Sequence, residues 1–174
     1  LSGQKSIQEM VQSALKSSPT NQFITSKNDY DIKKTITETC HIHLANHPDI
    51  KKIKLIIDLP EQDQKTPHNA NDMIRVISNL VINAAQASKE NSQVILKLQY
   101  GPQFCEIHVI DEGGGIPKKI QNSIFLPGFT SKPKGNGLGL FSCQNIIEKM
   151  HGGTISFTSD EGKGSEFTIR LPTN

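Results

Sequence analysis

Apolar residues recur at helical spacing in four parts of the chain. Residues 6–17 place them at i, i+3, i+4, i+7 and i+8, which is one face of a short amphipathic helix. A polar stretch, residues 17–28, follows and is typical of a linker. Residues 32–47 repeat the helical pattern less regularly and end at Pro48, and residues 138–150 form another such segment.

The strongest helical pattern covers residues 69–90, with Asn69 or Asn71 available as the N-cap. Its apolar stripe consists of Met73, Val76, Ile77, Leu80, Val81 and Ala84. A stripe of this width indicates a helix that packs one face against a core.

Alternating apolar and polar positions predict five strands. These strands cover residues 52–60, 93–100, 104–111, 152–160 and 165–172. Residues 113–136 are rich in Gly, Pro, Lys and Ser, which predicts loops with at most a short helix near residues 117–123. Strand hairpins interleaved with one-sided helices favour an α+β fold, a two-layer α/β sandwich, over a doubly wound parallel sheet.

Composition narrows the function only slightly. The 174 residues carry 19 Lys and Arg against 17 Asp and Glu, a balance that gives no reason to expect a nucleic-acid partner. Three cysteines, an odd number, suit a reducing compartment, so we expect a cytoplasmic protein. No stretch approaches the ~18 apolar residues of a spanning helix, so we expect no membrane contact by this segment. The chain starts at Leu1, which suits a piece of a longer polypeptide.

Two asparagines stand out on the strongest helix. Asn79 and Asn83 are four residues apart, so both amides project from one face about one turn apart. Such a pair is most often simply solvated. Here the surrounding run, NLVINAAQA, is otherwise small and apolar, and a hard cation with phosphate oxygens would satisfy both amides.

Glycine clusters follow the third predicted strand. In DEGGGIP, Gly113 and Gly115 would let a flat ring approach the backbone while Asp111 accepts a hydrogen bond from an exocyclic amine, although a tight turn with a solvated Asp fits equally well. In IFLPGFTSKP, the hydroxyls and the Lys132 ammonium suit a lid over phosphates or an ordinary surface loop. GNGLGL spaces its glycines as GxGxG, a weak signal by itself.

These motifs, in this order and followed by HGGTISFTSDEGKGSEFTIRLP, resemble the ATP-binding domain of the sensor histidine kinases. That domain belongs to the superfamily that also contains gyrase, Hsp90 and MutL. The resemblance covers about residues 31–172 and implies the Bergerat ATP-binding fold, a mixed, mostly antiparallel sheet with helices on one face. It implies a catalytic ATP-binding domain at residues 29–174, with the end of a dimerisation helix and a linker at residues 1–28 forming an N-terminal helical stub.

The resemblance also implies residue roles. Asn83 would be the magnesium (Mg²⁺) ligand and, with Lys132, the catalytic pair, while Asp111 would bind the adenine amine. Ser165 lies where family members commonly have a Thr that helps bind adenine. The full set implied to bind ATP is Asn79, Asn83, Asp111, Gly113, Gly115, Ile116, Phe129, Thr130, Ser131, Lys132, Gly135, Gly137, Leu138, Gly139, Leu140 and Ser165.

The chain departs from the family pattern at two positions. Gln86 and Ala87 stand where Lys or Arg and an aromatic residue are common, and Lys132 is a candidate to replace part of the missing charge. A degenerate nucleotide-sensing or scaffold module of the same fold is therefore the alternative function. ATP-hydrolysing relatives typically carry a Glu four residues before the metal ligand, where this chain has Asn79. An amide cannot act as a general base, so phosphoryl transfer is favoured over an ATP-driven clamp.

None of the six histidines precedes Glu or Asp, as the phosphoacceptor of the common sensor kinases does. The implied partners are therefore a dimerisation and phosphoacceptor domain of the same kinase and a response regulator or receiver domain. We expect a homodimer in the full-length protein. Cys40, His41, His43 and His47 could also form a metal cluster, and His43 and His47 are spaced to share a helical face. This interpretation is weaker than a helix with ordinary histidines, because no second ligand pair appears.

Overall fold

A computed structural model describes residues 31–173. The strands in this range are β1 (Lys54–Asp58), β2 (Gln93–Tyr100), β3 (Phe104–Asp111), β4 (Thr154–Asp160) and β5 (Gly164–Pro172). The helices are α1 (Ile32–Glu38), α2 (Pro48–Lys51), α3 (Ala70–Ala87), α4 (Lys118–Gln121) and α5 (Gly139–Gln144). Two of them continue as π-helical segments, α1 into Thr39–Leu44 and α5 into Asn145–Met150.

The five strands form one sheet in the order β1-β2-β3-β5-β4. β1 and β2 are parallel, and α3 connects them, because two parallel neighbours need a crossover connection. The other three pairings are antiparallel. The sheet is thus mixed and mostly antiparallel, which confirms the predicted α+β fold.

Buried and more exposed side chains alternate along the strands, so one face of the sheet is buried and the other is partly exposed. Val94, Leu96 and Leu98 of β2 are buried and join the core that contains the apolar stripe of α3. On the opposite face the side chains are mostly polar, and Arg170 pairs with Glu106 at 2.7 Å. Each strand therefore follows the period-two pattern of a sheet that is covered on one side.

The start of α3 is fixed by Asn69. Its Oδ1 accepts the Asp72 backbone N–H at 3.0 Å, and its own N–H donates to His151 Nε2 at 3.1 Å. His151 Nδ1 donates in turn to the Ile146 carbonyl at 2.9 Å. The first turn of α3 is thereby joined to the segment that follows α5.

Two boundaries differ from the sequence prediction. α1 and its π-helical continuation end at Leu44, and Pro48 begins α2 instead of ending the previous helix, because proline is pre-organised for a first helical position. His47 caps α2 by accepting the Asp49 N–H at 3.2 Å, so the prediction that it shares a helical face with His43 was wrong. β1 is also shorter than residues 52–60, because Lys52 is the C-cap of α2 and pairing with β2 runs only from Lys54 to Asp58.

Further observations concern the described part of the chain only. None of its helices combines the length and apolar character needed to cross a membrane. Residues 31–173 also bring no three His, Cys, Asp or Glu side chains into a metal-binding arrangement. Cys40, Cys105 and Cys143 are buried free thiols, and burial raises the pKa of each, to about 12 for Cys143. The helix predicted at residues 6–17 lies outside the described residues.

Asn69 and Asn71 provide a matched test of the N-cap. We expect Asn69→Ala to lower the free energy of unfolding by about 1 kcal/mol, because it removes the acceptor for the Asp72 N–H. Asn71→Ala, at an exposed position two residues later, should change it by less than about 0.5 kcal/mol. Urea unfolding followed by circular dichroism measures both, and equal losses would contradict the capping role of Asn69.

Candidate nucleotide-binding site

Asn79 and Asn83 lie beside the buried stripe of α3, where both are partly exposed. The Asn83 side-chain N–H donates to Asn79 Oδ1 at 3.0 Å. Asn83 Oδ1 is left facing a cation, because the Lys132 ammonium donates to it at 2.9 Å. A carboxamide oxygen is a hard ligand of the kind that Mg²⁺ takes, so Asn83 fits the predicted magnesium, which would replace the Lys132 ammonium on Oδ1.

Lys132 reaches α3 from the lid, residues 125–132. Its ammonium donates to Gln86 Oε1 as well as to Asn83. Partial burial lowers the pKa of Lys132, and the nearby Asp49 carboxylate opposes this effect. Gln86 stands where Lys or Arg is common in the family. It is therefore in contact with a positive charge that another segment, the lid, supplies.

The glycine loop, residues 135–140, lies between α3 and the lid. A Cβ on Gly139 would be 2.6 Å from Asn79 Nδ2. Gly137 has φ +69°, and a Cβ there would be 2.3 Å from the Gly128 carbonyl carbon. The Gly128 N–H donates to the Gly137 carbonyl at 3.0 Å. Bare backbone is therefore required at Gly137, where the neighbour is backbone, whereas the neighbour of Gly139 is a side-chain amide that can shift.

Aromatic packing anchors the lid, and its tip is exposed. The Phe125 ring centroid lies 6.0 Å from that of Phe157 and 6.4 Å from that of Phe167. Phe129 also packs against the core, as Leu140 does in α5. The exposed side of this region carries Thr130, Ser131, Lys132, Gly135 and Leu138.

Within the lid, Thr130 makes a local turn. Its Oγ1 accepts the Lys132 N–H at 3.0 Å, and a Cβ on Gly135 would be 2.3 Å from the same oxygen. Thr130 is therefore used in shaping the lid. No contact in the described part of the chain joins Ser131 to the asparagine pair.

The second cluster surrounds Asp111 at the end of β3. Its side chain is buried, and Oδ1 accepts the Gly113 N–H at 2.8 Å. Ser165 is its partner residue on β5 and supplies a further backbone hydrogen bond. Burial raises the pKa of Asp111, and the hydrogen bonds from Gly113 and Ser165 oppose the rise.

The DEGGGIP loop packs against backbone on two sides. A Cβ on Gly113 would be 2.3 Å from the Ala87 carbonyl oxygen at the end of α3. Gly115 has φ +68°, and a Cβ there would be 2.1 Å from the Asp160 carbonyl oxygen. Gly114 faces open space. Gly113 and Gly115, which were singled out in the sequence analysis, are thus the two glycines of this loop that have no room for a side chain.

Sequence reasoning missed Ser159. Its hydroxyl accepts the Ile116 N–H at 2.7 Å and lies 2.8 Å from Ser165 Oγ, so it connects the loop to β5. Gln121 donates to the Ile116 carbonyl at 2.8 Å and reinforces this junction. One signal was available: Ser159 occupies an inward position in the β4 alternation, after Ile155 and Phe157, where a polar residue needs a partner.

The structure thus brings the predicted residues into two groups. Asp111, Gly113, Gly115, Ile116 and Ser165 meet at the ends of the central strands. Asn79, Asn83, Lys132 and the glycine loop meet beside α3. Ala87 joins α3 to the first group, because its carbonyl also accepts the Gly114 N–H at 3.3 Å.

The adjacent glycines allow a controlled substitution. We expect Gly113→Ala to destabilise the domain by about 1–3 kcal/mol, because its methyl group would collide with the Ala87 carbonyl. Gly114→Ala meets nothing within 4 Å and should change stability by less than about 0.5 kcal/mol. Thermal unfolding of the two variants measures the difference, and similar stabilities would refute the tight packing of the loop on α3.

Asp111 gives a prediction about pH. Because burial raises its folded-state pKa above the ordinary 3.8, the folded chain binds this proton more tightly than the unfolded chain. The stability contributed by that proton is present at low pH and is lost as the pH rises through the folded pKa. Asp111→Asn should therefore be at least as stable as the parent at pH 7 and should gain less stability when the pH falls.

Urea midpoints of the parent and Asp111→Asn between pH 4 and pH 7 test this difference. Titration of other groups is common to both chains and cancels in the comparison. An Asp111→Asn chain that is clearly less stable at pH 7 would show that the ionised carboxylate stabilises the fold.

Residues 68–174 match the family described as "Histidine kinase-, DNA gyrase B-, and HSP90-like ATPase". Sensor histidine kinase ZraS of Escherichia coli (strain K12) is 42% identical over 102 residues, which are 59% of this chain and 22% of ZraS. Sporulation kinase D of Bacillus subtilis (strain 168) is 36% identical over 114 residues, 66% of this chain and 22% of that kinase. The chain spans about a fifth of the length of these relatives.

Solved structures agree with the sequence relatives. The nucleotide-free catalytic domain of histidine kinase ThkA aligns with a TM-score of 0.73 at 28% identity, covering 83% of this chain and 95% of that domain. ThkA in complex with response regulator protein TrrA aligns with a TM-score of 0.70 at 25% identity, covering 83% of this chain and 41% of that one. The chain has the fold of a histidine kinase catalytic domain, and it belongs to the histidine kinase-, DNA gyrase B- and HSP90-like ATPase family.

Proposed function

We propose that this chain is the ATP-binding catalytic domain of a two-component sensor histidine kinase. It would hold ATP with magnesium and present the γ-phosphate to a histidine on a separate dimerisation domain. The observation that carries the proposal is that three motifs meet around Asn83. Asn83 itself lies on α3, the lid contacts it through Lys132, and the glycine loop packs against Asn79, its hydrogen-bond partner. Residues 29–174 would form this domain, and residues 1–28 the end of the dimerisation helix and the linker.

The Asp111 group would bind the base. Its buried carboxylate can accept a hydrogen bond from an exocyclic amine, which adenine has and guanine lacks at the equivalent position. Ser165 has its hydroxyl oriented by Ser159, so it can add a second polar contact to the base. Gly113 and Gly115 let this loop pack against Ala87 and Asp160, which holds it beside the place that we propose for the ring.

The Asn83 group would bind the phosphates. Asn83 Oδ1 would hold the magnesium, which when bound supplies positive charge to the phosphate oxygens. Lys132 would place its ammonium on the terminal phosphate and stabilise the charge that develops during transfer. The glycine loop would pack its bare backbone around the chain of phosphates. The protein's contribution to catalysis is thus positioning and electrostatic stabilisation.

Asn79 favours transfer over hydrolysis. Its Oδ1 accepts a hydrogen bond from Asn83, and an amide cannot take a proton from water at neutral pH. The attacking group would therefore be a histidine of the dimerisation domain, which is nucleophilic without a base from this chain. The six histidines of the chain lack the following acid of a phosphoacceptor, so we place the acceptor outside the chain.

The relatives suggest the remaining partners. ThkA has been solved with the response regulator TrrA, and ZraS is named a sensor histidine kinase. We infer that the phosphorylated histidine passes its phosphate to a response regulator or receiver domain. We place the catalytic domain in the cytoplasm, in a full-length protein that is a homodimer.

Nucleotide binding is the first test. Isothermal titration of the 174-residue chain with Mg-ATP should show one site, and Asn83→Ala should weaken the affinity at least about tenfold, because a hydrogen bond or ligand to a charged group is lost. Asn71→Ala, exposed near the start of the same helix, should leave the affinity unchanged. A parent chain that does not bind Mg-ATP would leave only the degenerate scaffold function.

Incubation with ATP labelled at the γ-phosphate is the second part of this test. We expect slow release of phosphate and no stable phosphohistidine on this chain. Hydrolysis at the rate of a working ATPase would instead support an ATP-driven clamp. A labelled histidine on the chain would overturn the external position of the acceptor.

A further inference from the structure

We propose that Asp49 is a positioning residue which, through Gln86, holds Lys132 against Asn83. This inference rests on the proposed function, because it concerns how the phosphate-binding cation is placed. Gln86 donates from Nε2 to Asp49 Oδ2 at 2.9 Å, and its Oε1 accepts from the Lys132 ammonium. The three side chains come from α2, α3 and the lid, which are distant in sequence.

The amide of Gln86 has a direction, and Asp49 sets it. A carboxylate only accepts hydrogen bonds, so Asp49 binds the amide nitrogen and turns the amide oxygen toward the lid. That oxygen is the group that an ammonium needs. In the flipped orientation the amide N–H groups would face the ammonium of Lys132, donor against donor. Gln86 can serve as a holder for Lys132 only while an acceptor fixes its other end.

Asp49 is itself well fixed. It lies in the first turn of α2, where its backbone N–H donates to the His47 cap. Lys52 makes a long, exposed contact with its Oδ1, at 3.4 Å, which contributes little to its position. The hydrogen bond from Gln86 lowers the Asp49 pKa, with further lowering by Lys52 and His47, so the carboxyl group stays ionised at neutral pH. Its negative charge also favours the ammonium form of Lys132.

The arrangement explains how the chain works without a cation at position 86. Lys132 is an exposed residue at the end of a glycine-containing lid, and a free lysine side chain would lose much rotamer entropy on binding phosphate. Held by Gln86, it has already lost much of that freedom before the nucleotide arrives, and its contact with Asn83 Oδ1 is the one that it would exchange for phosphate when magnesium binds there. Pre-organisation of this kind increases affinity for the triphosphate specifically.

A double-mutant cycle tests the assignment. Asp49→Ala should weaken Mg-ATP binding about three- to tenfold, as expected for one displaced charged contact. It should leave AMP binding unchanged, because AMP has no β- or γ-phosphate for Lys132 to reach. In a Lys132→Met background, Asp49→Ala should cost no further affinity. Lys52→Ala, which removes another partner of Asp49 but does not touch Gln86, is the matched control and should stay within twofold of the parent.

A second measurement needs no nucleotide. Trace acetylation with acetic anhydride, quantified by mass spectrometry, reports how free the Lys132 amine is, with Lys134 as an internal reference. Asp49→Ala and Gln86→Leu should raise the Lys132 to Lys134 ratio several-fold, and Lys52→Ala should not. If the parent fails to bind Mg-ATP, the proposed function fails while this ratio still tests the contact. An unchanged ratio, or an Asp49→Ala loss that persists without Lys132, would overturn the inference.

Discussion

Burial of one stripe of α3 is the constraint on which the site depends. Its apolar side chains contribute on the order of 1.5–3 kcal/mol each and can be buried in only one rotation of the helix about its axis. That rotation leaves Asn79 and Asn83 at the edge of the core, facing the glycine loop. The N-cap at Asn69 and its contact with His151 fix the position of the helix along its axis. The asparagine pair that we propose to bind the phosphates is thus placed by hydrophobic packing that involves no ligand.

Close approach of backbone to backbone shapes the loops around this helix. Gly113 lies against the Ala87 carbonyl, Gly115 against Asp160, and Gly137 against Gly128. The first two contacts join segments that are far apart in sequence, the third joins the lid to the loop that follows it, and each requires the absence of a Cβ. The glycine-rich motifs are therefore structural junctions: the space that a side chain would need at these glycines is filled by other backbone, so a ligand would contact other sides of the loops.

Most of the fold was predictable because its signals are local. The stripe of α3 and the alternation of β2 to β5 were predicted from periodicity, and the parallel pairing of β1 follows from its crossover helix. Pro48 was misread because proline both ends helices and begins them, and periodicity cannot distinguish these cases. The role of Ser159 depends on the long-range pairing of β4 with β5, and the contact between Asp49 and Gln86 depends on how α2 packs against α3. Residue spacing does not encode either relation.

The Asp111 group and the Asn83 group differ in how their side chains are held. The first lies on paired strands, whereas the second combines side chains of a helix with the charge of Lys132 from a loop. Asp111 and Ser165 lie on paired strands, so the half that we propose to bind the base is held by the sheet itself. The half that we propose to bind the phosphates has amides on α3, at Asn79, Asn83 and Gln86, and takes its cation from the lid. A cation carried by a loop can leave the site together with that loop, whereas a cation on α3 could not. Under the proposed function, capture of the base and completion of the phosphate site would therefore be separable steps, and the position of Lys132 would determine the second.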